Sequence, residues 1–205
     1  MKRPNVKSDL ESRIKQLKKG SILFAEDFQD SGMSQSVNRA LSRLNEKKII
    51  IRLAQGIYFL PRQDKYLGVV FPSVEEVAKA IAHRDHARIV TTGVYALNKL
   101  GLSTQVPLNT VFLTDGAARI ILLGRQSIKF KKTTPKNLAA KGEISSLVIQ
   151  ALREIGKENV KDEHLTVIIS HLLNEKPEYI KHDAGIAPAW IRNILLQTIK
   201  DREKL

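Results

Sequence analysis

The sequence predicts an α+β chain in two parts: a winged helix-turn-helix over residues 1–65, then a mixed α/β domain over residues 66–205 with a small antiparallel sheet and C-terminal helices. Three observations carry this expectation. Ser34–Pro61 reads as a basic amphipathic helix followed by a short hairpin. Three strand signals stand between Asn109 and Lys132. After Pro135 the apolar residues fall at helical spacing.

The elements follow in order. Ser8 and Glu11 have capping-box spacing, Leu10, Ile14 and Leu17 repeat on one helical face, and Gly20 ends that helix. Ile22-Leu23-Phe24 forms a short strand, Ala25–Phe28 a turn or two of helix, and Asp30-Ser31-Gly32 a tight turn. Ser34 stands where the cap of the next helix is expected. In that helix Val37, Ala40, Leu41 and Leu44 share one side, and Gln35, Asn38, Arg39, Ser42 and Arg43 cover the other. Lys47-Lys48 closes it. Ile49-Ile50-Ile51, a turn at Ala54-Gln55-Gly56 and Ile57–Leu60 then supply the hairpin.

Helix plus hairpin suits a duplex, with the helix in the major groove and the hairpin on the flanking backbone. Gln35, Asn38, Arg39, Ser42 and Arg43 are the candidate base or phosphate contacts. Lys47, Lys48 and Arg52 are candidates for the backbone, with Gln55 at the hairpin tip. A polar helix face is by itself only a solvated surface. The hairpin, the turn spacing and the charge favour nucleic acid.

Arg62–Lys65 reads as an interdomain linker after Pro61. Val69-Val70-Phe71 is a short apolar run ended by Pro72, and Ser73 with Glu76 opens a helix to about His83. Arg88-Ile89-Val90 is a strand, and Thr92–Leu100 a helix capped by Gly101. Asn109–Thr114 is a strand with a hairpin turn at Asp115-Gly116, followed by strands Arg119–Leu123 and Ser127–Lys132. In the last, Ile128 and Phe130 alternate with Lys129 and Lys131. With Arg125 and Lys132 these lysines form a candidate second surface for an anionic target; the alternative is an edge strand guarded by lysine. Helices are expected at Glu143–Ile155, Asp162–Leu173 and Pro188–Lys200, with Trp190 as a core anchor in the last.

The net charge of +13 is unevenly spread. Residues 1–65 hold 14 Lys/Arg against 7 Asp/Glu, residues 66–140 hold 10 against 4, and residues 141–205 hold 10 against 10. The basic two thirds point to an anionic partner, nucleic acid before membrane. The absence of cysteine excludes disulfides, thiolate chemistry and Cys-based zinc sites. No signal-peptide core follows Met1-Lys2-Arg3 and no apolar run spans a bilayer, so a cytoplasmic location is expected. His83-Arg84-Asp85-His86 is the one tight histidine cluster, read as a helix end. No Walker loop, dinucleotide fingerprint or HExxH motif appears. No catalytic residue, metal or cofactor is therefore expected.

The strings TTGVYALNKLGLSTQVP (91–107), VFLTDGAARIILLGRQSIKFKKT (111–133) and APAWIRNIL (187–195) resemble the AbiEi-like antitoxin and transcriptional-regulator family of type IV toxin–antitoxin systems. The resemblance covers most of the chain. It implies an N-terminal winged helix-turn-helix, a C-terminal antitoxin domain and repression of the protein's own operon; the docking geometry of such helices adds double-stranded promoter DNA bound by two copies. It also implies a nucleotidyltransferase-like toxin as counterpart, without requiring direct contact. The family's hairpin carries a basic residue before Gly-x-Tyr; here Gln55 precedes Gly56-Ile57-Tyr58, and Arg52 is the candidate substitute. Two rival readings stand beside it. One is a winged domain serving as a protein- or RNA-binding scaffold. The other is a nucleic-acid enzyme gathering His83, Asp85 and Asp115 around a metal.

Overall fold

A computed structural model describes residues 6–202, and within that span the side chains of residues 6–9 and 31 lie outside the description. The fold is α+β and divides into two compact units, the first running through Ala80 with Leu122–Gly124, the second comprising Ile81–Ile121 and the chain from Arg125 onward.

The first unit opens with α1 (Val6–Gln16), so the expected Ser8 cap falls inside a helix already begun, and its side chain lies outside the described residues. There follow β1 (Ile22–Phe24), a 3-10 turn (Ala25–Ser31), α2 (Ser34–Glu46), β2 (Ile51–Ala54) and β3 (Ile57–Phe59). The three strands form an antiparallel sheet in the order β1-β3-β2, with Ile22 and Ile51 both opposite Phe59. The expected apolar sets meet in one core: Leu10 and Ile14 from α1, Val37, Leu41 and Leu44 from α2, then Phe28, Ile50 and Tyr58. Burying these side chains stabilises the unit by about 1.5–3 kcal/mol each.

Alternation along β3 sends Tyr58 toward the helices and Phe59 the other way, yet both are buried. Phe71 stacks on Phe59, with ring centroids 6.0 Å apart and planes at 29°. This changes the expected boundary. Arg62–Lys65 is not a bare linker: β4 (Arg62–Asp64) pairs antiparallel with β5 (Gly68–Val70), and Asp64 accepts the Tyr66 and Leu67 N–H groups across the turn. The apolar outer face of a three-stranded sheet needs cover, and residues 62–80 belong with the first unit. In α3 (Val74–Arg84) the expected capping box forms, with Glu76 N–H donating to Ser73 Oγ at 3.1 Å and Ser73 N–H to Glu76 Oε2 at 2.7 Å.

The second unit contains β6 (Ile89–Thr91), α4 (Gly93–Lys99), β7 (Asn109–Thr114), β8 (Arg119–Leu123, the last two residues of which group with the first unit), β9 (Gln126–Lys132), a 3-10 turn (Pro135–Leu138) and four helices: α5 (Glu143–Ile155), α6 (Asp162–Leu172), α7 (Pro177–Ile186) and α8 (Ala189–Arg202). Its sheet runs β6-β7-β9-β8. β6 and β7 are antiparallel, but β7 and β9 are parallel, so the sheet is mixed rather than antiparallel throughout. Asp115-Gly116 therefore does not close a hairpin between neighbouring strands, because β9 lies between β7 and β8. Instead Asp115 reaches back to Arg88, accepting its backbone N–H at 2.7 Å and its Nε at 2.8 Å. Gly116 is required by a close approach: a Cβ there would lie 2.7 Å from that of Ala87.

α5 is the central helix, touching α4, α6, α7 and α8. Its Val148, Ala151 and Leu152 meet Ala96, Ile168, Leu172, Ile180, Ile191 and Leu195, and half-buried Trp190 packs against this core as expected. Helix α7 was not expected, because only Ile180, Asp183 and Ala184 of its residues are buried and it shows little periodicity. Among the described residues no helix is long and apolar enough to cross a membrane.

Candidate nucleic-acid interface

Helix α2 buries Val37, Ala40, Leu41 and Leu44 and leaves Gln35, Asn38, Arg39, Ser42 and Arg43 exposed, the division its spacing predicts. The exposed residues form two stripes. Asn38 and Ser42, four apart, face the hairpin; Arg39 and Arg43 form the next stripe round. Between the first stripe and the hairpin runs an open groove of about 410 Å³, lined by Ser34, Asn38, Ser42, Arg52, Gln55 and Tyr58. Asn38, Ser42, Arg52 and Gln55 are thus brought together. Gln35, Arg39 and Arg43 lie outside the groove on the exposed helix surface, and exposed Lys47 and Lys48 follow the helix end.

Both ends of α2 differ in detail from expectation. Met33, not Ser34, is the N-cap, since the Met33 carbonyl accepts the Val37 N–H at 3.1 Å; no side chain caps the helix there. At the other end Lys48 adopts φ 55, and the Leu44 carbonyl accepts the Ile49 N–H at 3.0 Å. This is the left-handed helix stop that glycine normally supplies. Beyond it Asn45 Oδ1 accepts the Arg52 N–H at 2.8 Å and pins the hairpin to the helix, while Arg52 Nε donates to the Ala54 carbonyl at 3.4 Å. A register shift between Arg52 and Ala54 twists the strand, and Gly56 makes the turn at φ 71. Glu26 and Gln29 also line the groove. They lie on the 3-10 turn, whose short run carries no periodic signal.

The second candidate surface lies on β9. Lys129 and Lys131 are exposed on one face, opposite Val111 and Leu113 of β7, while Ile128 and Phe130 are buried on the other. β9 is an inner strand, so these lysines guard no edge and the edge-protection alternative falls. Arg125 is exposed in the turn before β9. Lys132, exposed at the strand end, is paired with Thr114 on the opposite side of the pleat.

The two acids of the metal-enzyme rival are held by cations. Asp85 pairs with Arg84 at 2.9 Å and with Arg119, whose guanidinium also covers the Phe130 ring. Burial pushes the Asp85 carboxyl up, but hydrogen bonds from the two guanidiniums outweigh it and hold the carboxyl below its ordinary value. Arg88 holds Asp115 low in the same way. Among the described residues no three His, Asp or Glu side chains gather as a metal site.

One polar cluster had no signal in the sequence. Asp183 of α7, wholly buried, accepts the Lys141 N–H at 2.8 Å, the Gly142 N–H at 2.9 Å and the Ser145 hydroxyl, and contacts His182 Nδ1 at 2.7 Å. Glu175 accepts the Ile144 N–H at 2.9 Å. Two acids distant in sequence thus accept N–H groups at the entrance to α5 that would otherwise be buried without a partner.

With the fold α+β and its polar groove described, comparison places the chain. It belongs to a family of unknown function (DUF6088), whose profile matches residues 9–180. No curated protein matches. Among solved structures the chain is similar to the RV2827C protein from Mycobacterium tuberculosis, with a TM-score of 0.43, 12% identity, and coverage of 94% of this chain and 81% of that one. At that level the likeness supports no functional reading.

Proposed function

We propose that the chain is a DNA-binding transcriptional regulator of the antitoxin type, with a winged helix-turn-helix in its first unit and no catalytic step of its own. The observation that carries this reading is the groove in which Asn38 and Ser42 of α2 face Arg52 and Gln55 of the hairpin. These side chains donate and accept, as base edges and phosphates require, and Arg39 and Arg43 add charge alongside. In this reading α2 enters the major groove, the β2–β3 hairpin follows the backbone as the wing, and two copies bind an inverted repeat in the protein's own promoter in the cytoplasm. The lysine face of β9 is a second anion-binding surface. The AbiEi-like resemblance adds a nucleotidyltransferase-like toxin as functional counterpart.

Fluorescence anisotropy with promoter and scrambled duplexes tests the proposal. Arg39→Ala weakens specific binding by about 1–3 kcal/mol if Arg39 reads a base, while Lys48→Ala weakens both duplexes alike. Alanine suffers the same left-handed strain as lysine at position 48, so that comparison is free of a folding change. Equal affinity of wild type for both duplexes, with a flat salt response, would reject the DNA reading in favour of a scaffold.

A further inference from the structure

We propose that the first unit carries a binding site for a free nucleoside phosphate, in the groove between the turn that follows α1 and the segment linking β5 to α3. The groove is about 340 Å³, within the range of small-ligand sites. Lys18, Lys19, Ser21, Arg62, Phe71 and Glu76 line it. Together they supply the pieces of nucleotide recognition.

Phe71 is 58% exposed, yet its ring is not loose, because it stacks on fully buried Phe59. One aromatic face is thus fixed from beneath and offered to the groove, the arrangement on which a base stacks. Three cations stand around it. Among the described residues Lys18 and Lys19 form no ion pair, so their charge is available to a phosphate, and Arg62, whose charge is shared with the nearby Asp64 and Glu76 carboxylates, adds to it. Ser21 adds a hydroxyl. Glu76 supplies the opposite chemistry: Ser73 N–H occupies Oε2, and the carboxyl keeps acceptor capacity for an exocyclic amine. Three cations against one acid match an anion with an aromatic, amine-bearing body better than a bare anion or an apolar molecule. The site is separate from the α2 groove. Tyr58 lines that groove and Phe59 this one, and adjacent residues of β3 face opposite sides of the sheet. The inference therefore does not rest on the DNA reading.

Isothermal titration of the full chain with AMP, ADP, adenosine, inorganic phosphate and a short 5′-phosphorylated single strand tests it. AMP and ADP should saturate, with adenosine and phosphate each at least about tenfold weaker, since each meets half of the site. Phe71→Leu keeps an apolar cover over Phe59 but removes the stacking face, and should weaken AMP about tenfold. Lys18→Ala/Lys19→Ala should weaken ADP about tenfold and leave adenosine unchanged. Circular dichroism and thermal melting of each variant establish that it folds. No saturation by either nucleotide, phosphate binding as tightly as ADP, or unchanged AMP binding by well-folded Phe71→Leu would each overturn the proposal. Tighter binding of the single strand than of ADP would also overturn it, by assigning the groove to a nucleic-acid strand.

Discussion

Lys48 ends α2 in a conformation that costs a side-chain-bearing residue about 1–2 kcal/mol. The strain is offset because the Leu44 carbonyl gains the Ile49 N–H that the reversed chain brings back, and because Ile50, two residues on, turns into the core. Lys48→Gly relieves the strain and gives back part of the gain as chain entropy, so urea unfolding should show a net stabilisation of about 0.5–1 kcal/mol. In the same variant the proposed DNA reading expects the loss of a phosphate contact, so that stability rises while affinity for a duplex falls. A variant that unfolds earlier than wild type would show that the lysine side chain itself holds the helix end. Glu76 yields a pH prediction. Hydrogen bonds from the Ser73 backbone N–H and hydroxyl hold its carboxyl below its ordinary 4.5. A folded value below the unfolded one makes the contribution fully present above 4.5 and lost as pH falls through the lower folded value. Glu76→Gln keeps the capping geometry without titrating, so it should lose less stability than wild type as pH falls below 4.5. Parallel losses in the two proteins would remove Glu76 from the acid transition.

At the scale of elements, the helices with strong apolar periodicity, α2 and α5, were legible to within a residue or two. Helix α7 was not, because its buried apolar stripe is only Ile180 and Ala184 and its third buried residue is Asp183. The Asp183 carboxyl satisfies two backbone N–H groups and the Ser145 hydroxyl at the entrance to the central helix. Asp183→Ala leaves those donors buried without an acceptor and should cost about 3 kcal/mol, read from the chemical denaturation midpoint. Asp183→Asn keeps one oxygen and should cost less. A loss below about 1 kcal/mol for the alanine variant would mean that water replaces the carboxyl. The β9 lysines teach the same lesson about sheets. Alternation revealed their shared face, but strand order decided that this face belongs to an inner strand, and strand order depends on pairings that no local window contains.

At the scale of the whole chain, the division into units tests how far composition locates a boundary. A polar RQDK after Pro61 looked like a linker, but it is the first strand of a hairpin whose following segment brings Phe71 onto Phe59. A fragment of residues 1–65 therefore exposes the outer face of the β1-β3-β2 sheet, and one that runs just past α3, residues 1–86, keeps it covered. Uncovering one phenylalanine costs about 1.5–3 kcal/mol, so the longer fragment should unfold at a higher urea midpoint. Equal midpoints would mean that the first unit closes before Arg62 and that the cover is incidental.

What the sequence by itself determined about this protein is what short-range physics reads: the helical faces, the Ser73–Glu76 box, the residues that α2 exposes, the basic balance of its first two thirds, and the lack of thiol chemistry. These depend on spacings of three or four residues and on composition, which any window shows. Only the tertiary structure decided that β7 pairs in parallel with β9, that Asp183 caps α5 from about forty residues away, that Asp85 and Asp115 are neutralised by arginines, and that Asn38 and Ser42 share a groove with Arg52 and Gln55. Each of these joins residues whose separation along the chain carries no periodic signature. Each is settled by where buried polar groups and apolar faces find partners once the chain has closed.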